Sequence, residues 1–120
     1  MNNIQTSKHY DLEERTLKYG ISVIRLVSIL AKNTVNLTLS AQVTRSGTSM
    51  GANYREANET ETKKDFKFRI RICRKEGKET IYWLNLILEA NPDLKEKILP
   101  LIDEATQLVK IFAAILIKSD

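Results

Sequence analysis

The chain has little of what most catalytic and extracellular proteins depend on. Its 120 residues include one cysteine, Cys73, and one histidine, His9. A lone thiol cannot build a disulfide framework and suits a reducing compartment, so a cytoplasmic protein is expected. One Cys and one His also leave no Cys/His metal site within a single chain. Two Pro and four Gly are too few for a loop-rich or low-complexity protein. No apolar run approaches the ~20 residues that a membrane-spanning helix needs. The polar stretch Met1 to His9 does not look like a signal peptide, so no membrane association is expected. No Ser/His/Asp arrangement, phosphate-cradling glycine loop or nucleotide fingerprint is present. The adjacent acids Glu13-Glu14 and Asp103-Glu104 point apart on a helix and read as solvated surface. The expectation is a non-enzymatic protein with no cofactor and no metal.

What is present is 42% hydrophobic and 28% charged sequence, enough for one self-sufficient domain. Residues 1–10 read as a disordered tail and residues 11–120 as that single domain. The charge is unevenly placed. Residues 1–62 carry seven basic and six acidic side chains, and residues 79–120 carry four basic and seven acidic. Between them, Lys63 to Lys78 hold eight basic residues against two acidic, a net of +6 that exceeds the +4 of the whole chain.

Hydrophobic periodicity is helical almost throughout. Leu12, Thr16, Tyr19, Val23, Leu26 and Leu30 alternate steps of four and three, which predicts a first helix over about Asp11 to Ala31. Asp11 and Glu14 have capping-box spacing. Leu17, Ile21 and Ile24 widen the stripe and suggest contact with two neighbours. Lys32 to Asn36 reads as a break, and a second helix is expected over Leu39 to Ala57. That helix is thin in apolar residues and contains Gly47 and Gly51. Each costs roughly 1 kcal/mol relative to Ala, so close approach of a neighbouring backbone is the expected compensation.

Asn58 to Thr62 reads as a turn. From Phe66 to Ile72 apolar and basic residues alternate as in a strand, yet Phe66, Ile70, Cys73, Gly77, Ile81, Leu84 and Leu88 recur at helical spacing. With no second strand to pair with, helix is the better reading. Asn91-Pro92 is expected to cap the fourth helix, which Pro100 should kink or split. The fold expected is an all-α, antiparallel, up-down-up-down four-helix bundle.

Two constellations stand out. Gln42, Arg45, Ser46, Ser49, Asn53 and Glu56 share one side of the second helix. They fit either a recognition face for phosphates or bases or a hydrogen-bonded network that locks this helix to the third. The scarcity of apolar residues favours the network, with Glu76 and Glu79 as partners for Arg45. The basic window offers Lys63, Lys64, Lys67, Arg71, Arg74, Lys75 and Lys78 as a nucleic-acid surface. Contact with phosphates and plain solvation fit it equally well. No aromatic-rich platform accompanies it, so base stacking on single strands is not indicated. Tyr82, Trp83, Leu86 and Ile87, with Ile111, Phe112 and Ile117, make an apolar arc wider than a bundle interior requires and point to a subunit interface.

The run Gln42-Val-Thr-Arg45-Ser46-Gly-Thr-Ser49-Met-Gly-Ala-Asn53-Tyr-Arg-Glu56-Ala57 resembles a signature of the bacterial four-helix-bundle proteins encoded in intervening sequences of 23S ribosomal RNA genes. The run Lys75-Glu76-Gly-Lys-Glu79-Thr80-Ile-Tyr-Trp83-Leu84 resembles that family's second signature, and Asp65-Phe66 resembles the usual start of its third helix. The similarity extends from Tyr10 to Ser119. It implies the four-helix bundle, a homopentameric ring, and no catalytic residues. A related accessory protein of diversity-generating retroelements engages RNA and a reverse transcriptase through a basic ring surface. The expected function is therefore non-enzymatic binding of RNA or DNA by a homopentamer, or alternatively a scaffold for a nucleic-acid enzyme such as a reverse transcriptase.

Overall fold

The computed structural model describes the backbone of residues 3–119 and the side chains of residues 12–119. The described residues form four long helices, α1 (Asn3–Ile29), α2 (Thr34–Asn58), α3 (Lys63–Ala90) and α4 (Lys95–Lys118). A single 3-10 turn, Pro92–Leu94, joins the last two, and there is no strand among the described residues. Each helix packs on the next in sequence and α4 returns to α1, while the backbones of the diagonal pairs stay apart. That is the four-helix bundle expected from the periodicity. The tail expected over residues 1–10, and His9 with it, falls outside the described side chains.

The caps explain where the elements begin. Asn33 accepts a hydrogen bond from the Asn36 amide at 2.8 Å, so α2 starts at Thr34, ahead of the expected Leu39. Thr62 accepts from the Asp65 amide at 3.1 Å, which starts α3 at Lys63. Side-chain acceptors of this kind satisfy donors that the first helical turn leaves unpaired. The alternating Phe66 to Ile72 segment is helical, with Ile70 and Cys73 in the core. Two expected caps are corrected. Asp11 lies inside α1 rather than at its start. Asn91 makes no N-cap bond; its backbone N–H closes α3 against the Ile87 and Leu88 carbonyls. Pro100 does not split α4, which runs unbroken from Lys95. Its missing N–H removes one backbone bond inside the helix.

The predicted α1 stripe of Leu12, Thr16, Tyr19, Val23, Leu26 and Leu30 is buried throughout. Val43, Met50, Tyr54, Ile70, Leu84, Ile98, Leu108 and Phe112 complete the core. Each large apolar side chain so buried contributes roughly 1.5–3 kcal/mol. The small residues of α2 let α1 approach closely. A Cβ on Gly47 would stand 3.0 Å from Val23, and one on Gly51 would stand 3.1 Å from the Thr16 hydroxyl. The close neighbours are therefore chiefly side chains of α1. On its other flank α1 reaches α4 through the Tyr19 hydroxyl, which donates to the Leu101 carbonyl at 2.8 Å. The inner stripe reaches both neighbours. Leu17, Ile21 and Ile24, expected to widen it, are exposed instead.

Candidate nucleic-acid interface

The basic window occupies the first sixteen residues of the 28-residue α3. Its inward positions, Ile70, Cys73 and Gly77, sit in the core. The remaining positions turn outward because a helix advances one turn every 3.6 residues. Lys64, Arg71, Lys75 and Lys78 are exposed along one line of the helix, at steps of seven, four and three. Lys67 and Arg74 flank that line and are half-buried, nearer the bundle. Lys63 is exposed at the mouth of a separate cleft. The structure thus brings six of the seven predicted residues to one side of α3 and sets Lys63 apart.

None of Lys64, Arg71, Arg74, Lys75 and Lys78 forms an ion pair among the described residues. Two aromatic rings share their line. Phe68 is 57% exposed and Tyr82 is 59% exposed, two separate rings rather than an aromatic-rich platform. Phe66 and Phe68 are two residues apart, so on a helix they face nearly opposite ways, and only Phe66 packs against the core. Tyr82 rests edge-on against Trp83, with ring centroids 5.0 Å apart and planes at 72°.

The α2 constellation resolves into contacts with α3. Arg45 meets Glu76 at 2.9 Å and Glu79 at 2.6 Å. The hydrogen bonds to Glu79 and Glu76 raise the Arg45 pKa above its already high ordinary value. Arg69 donates to the Asn53 side chain at 3.1 Å, a partner the sequence reading missed although Asn53 itself was singled out. Asn53 donates to the Ser49 carbonyl and the Ser49 hydroxyl donates to the Arg45 carbonyl. Deeper in, the Thr80 hydroxyl lies 2.9 Å from Ser46 Oγ and both residues are fully buried. Gln42 is half-buried and Glu56 exposed, and neither has a hydrogen bond or ion pair among the described residues. Those two are outside the network.

Other expectations are redrawn. Glu104 is not simply solvated, since it holds Arg15 with bonds of 2.6 and 2.9 Å. Glu13 likewise accepts from Asn58 at 2.8 Å and faces Arg55 at 3.5 Å. The apolar arc proposed as an interface divides: Ile87 and Phe112 are core, Trp83 and Ile111 are half-buried, and Tyr82, Leu86 and Ile117 are exposed. Unforeseen was a buried amide pair joining the start of α2 to the end of α3. Asn36 donates to Asn91 at 3.1 Å and Asn91 donates back at 2.8 Å.

Little in the molecule offers covalent or metal chemistry. No cluster of metal-ligating side chains occurs among the described residues. Burial pushes the Cys73 thiol up to about 12, far from the thiolate that reacts. A cleft of about 960 Å³ opens beside Tyr54, Phe66, Ile111 and Ile115, and its lining holds one carboxylate, Glu61. No described helix is long and apolar enough to cross a membrane.

Comparison with known proteins agrees with this architecture. The profile of the 23S rRNA-intervening sequence proteins matches residues 8–114. The chain belongs to that family. A solved structure from Bacteroides thetaiotaomicron, a protein of unknown function from the S23 ribosomal protein family, is similar with a TM-score of 0.79 and 30% sequence identity. The similarity covers 88% of this chain and 97% of that one. No curated protein sequence matches the chain. The family and the structural neighbour thus support the four-helix fold and carry no established activity.

Proposed function

We propose that this member of the 23S rRNA-intervening sequence protein family is a non-enzymatic, self-associating bundle that binds RNA or DNA through the outward side of α3. The observation that carries this reading is the line of Lys64, Arg71, Lys75 and Lys78, exposed and without ion pairs among the described residues. Unopposed like charge on one helix face is mildly destabilising, and phosphates relieve it while releasing condensed counterions. Replacing all four residues with Gln should weaken binding at 50 mM salt and lessen its salt dependence. On duplex nucleic acid, the log–log slope should fall by about 0.9 for each phosphate no longer neutralised. Wild-type protein that shows no salt-sensitive binding to structured RNA or to DNA refutes the reading.

Self-association draws on a different surface. Leu17, Ile21 and Ile24 are exposed at steps of four and three on α1, an apolar line that a second subunit would cover. A homopentamer is the expected assembly, and a monomer mass by light scattering at micromolar concentration refutes it. The same line supports a second reading, a scaffold for a nucleic-acid enzyme. That reading gains if a reverse transcriptase binds the protein after nuclease treatment while the protein alone binds no nucleic acid.

A further inference from the structure

The outward line of α3 is more than basic. Lys64, Phe68, Arg71, Lys75, Lys78 and Tyr82 follow one another at steps of four, three, four, three and four, and all six are exposed. Such steps keep residues on one face of a helix. The aromatic rings exposed among the described residues are Phe68 and Tyr82, and both stand on this line. An apolar ring left in water has no packing role to explain it, and Phe68 is not among the residues packed on the core. Tyr82 makes a T-shaped contact with Trp83, ring centroids 5.0 Å apart, and still stands 59% exposed.

We infer that this line is a stacking track for unpaired RNA, in which the cations hold phosphates and Phe68 and Tyr82 each receive a base. This rests on the proposed binding of nucleic acid by α3 and specifies which form is bound. Cationic side chains interleaved with exposed aromatics are the chemistry of single-strand binding, because every base has a π-face and every nucleotide a phosphate. Duplexes bury those faces, whereas RNA loops and bulges present them. The two rings lie fourteen residues apart on α3, about 21 Å at 1.5 Å per residue. At a stacked spacing of ~3.4 Å per nucleotide, that is about six nucleotides. The track therefore suits a short unpaired segment, with the four cations between and beside the rings.

The test is fluorescence anisotropy with a labelled ten-nucleotide unstructured RNA, the same RNA annealed to its complement, and the DNA strand of identical sequence. The variants are Phe68→Ala/Tyr82→Ala, Phe68→Trp/Tyr82→Trp, and the four-fold Gln replacement described above. The double alanine variant should lose at least about 25-fold in affinity for single-stranded RNA, since one stacked base corresponds to roughly 5- to 150-fold. Its salt slope should be unchanged, and its duplex affinity should change less than two-fold. The tryptophan variant should retain wild-type affinity within three-fold. The Gln variant should behave oppositely, weakening both forms and reducing the slope by about 0.7 per phosphate released on the single strand.

If wild-type protein binds no nucleic acid at all, both this inference and the reading beneath it fail. If it binds, but the double alanine variant loses less than two-fold or loses equally on duplex, the stacking track is overturned while electrostatic binding stands. Tighter binding to the DNA strand than to the RNA overturns the assignment to RNA. A changed oligomer mass for the double alanine variant by light scattering would mark the rings as a subunit contact and also overturn it. Both substitutions are at exposed positions, and unchanged helical circular dichroism confirms that the fold is intact.

Discussion

The Asn36–Asn91 pair is the sharpest place to ask what this bundle gains from buried polarity. Each side chain is almost fully enclosed, at 2% and 8% exposure. Besides the two bonds between them, Asn36 donates to the Ala31 carbonyl and Asn91 to the Ile87 carbonyl, each at 2.9 Å. Replacing Asn91 with Ala leaves the Asn36 carbonyl without a donor and one of its N–H groups without an acceptor. At about 1–3 kcal/mol for each buried group left unsatisfied, the substitution should cost about 3 kcal/mol. Asn36→Ala should cost about the same for the mirror reason. Changing both to Leu removes the orphaned amides together and puts in side chains of the same branched shape, so it should cost clearly less than the two single changes combined. Urea unfolding followed by circular dichroism, at one fixed protein concentration because association adds stability, reads this directly. With an m-value of about 1.5 kcal/mol per molar, each single alanine variant should lower the midpoint by about 2 M. Single variants that each shift it by less than about 0.3 M, or a double Leu variant that costs the sum of the singles, would refute the reasoning.

Glycine positions give an opposed pair of outcomes. A Cβ at Gly77 would meet Val109 Cγ2 at 2.7 Å and the Met50 sulfur at 3.1 Å, and a helical Val has essentially one rotamer with which to yield. Gly77→Ala should thus lower stability by about 1–2 kcal/mol. At Gly20 the nearest atom is Thr48 Cγ2 at an ordinary 3.6 Å, so Gly20→Ala should gain up to about 1 kcal/mol of helix propensity; thermal melts rank the two. Arg45→Met should cost about 1–3 kcal/mol, because it leaves the buried Glu76 carboxylate without its cation. It should also weaken RNA binding several-fold, and adding Glu79→Gln should restore part of that affinity in the anisotropy assay. Alkaline pH should destabilise the fold. Cys73 is raised by burial from 9.0 to about 12, so above pH 9 the unfolded chain releases a proton that the native chain keeps. Stability is then fully present below about 9 and falls by about 1.4 kcal/mol per pH unit toward 12. Cys73→Val should flatten that limb in pH-resolved urea melts. Tyr19 and Tyr54, both raised chiefly by burial, keep the slope from vanishing.

Much of the bundle was legible because helix positions repeat with a fixed period. The α1 stripe from Leu12 to Leu30 could be read residue by residue, and the absence of a second strand to pair with decided the helical reading of α3 against its strand-like alternation. Ends and pairings were less legible, since they depend on which local bond wins. Asn33 began α2 early because its side chain captured the Asn36 amide, and Thr34 and Asn36 in the same run are equally acceptable caps by residue type. The Asn36–Asn91 pair joins positions far apart in the chain, and no periodicity links them. Phe68 was hidden for a related reason. It looks like part of an apolar alternation with Phe66, and only the angular position of each on α3 separates the core ring from the exposed one.

Placement also changes what the +6 of the window means. Its two acids are Asp65 and Glu76. Asp65 is in the first turn of α3, where a carboxylate is favoured by the helix dipole, and Glu76 is turned toward α2 and held by Arg45 at 2.9 Å. Glu79 stands four residues beyond Lys75, close enough on a helix to pair with it, yet its carboxylate is engaged by Arg45 at 2.6 Å. Arg45 thus draws two carboxylates to the α2–α3 seam and leaves the outer line of α3 without an acid among Lys64, Arg71, Lys75 and Lys78. The polar network and the basic surface, which look like separate features in the sequence, are one electrostatic arrangement. The seam satisfies the acids, and the cations outside remain available for phosphates.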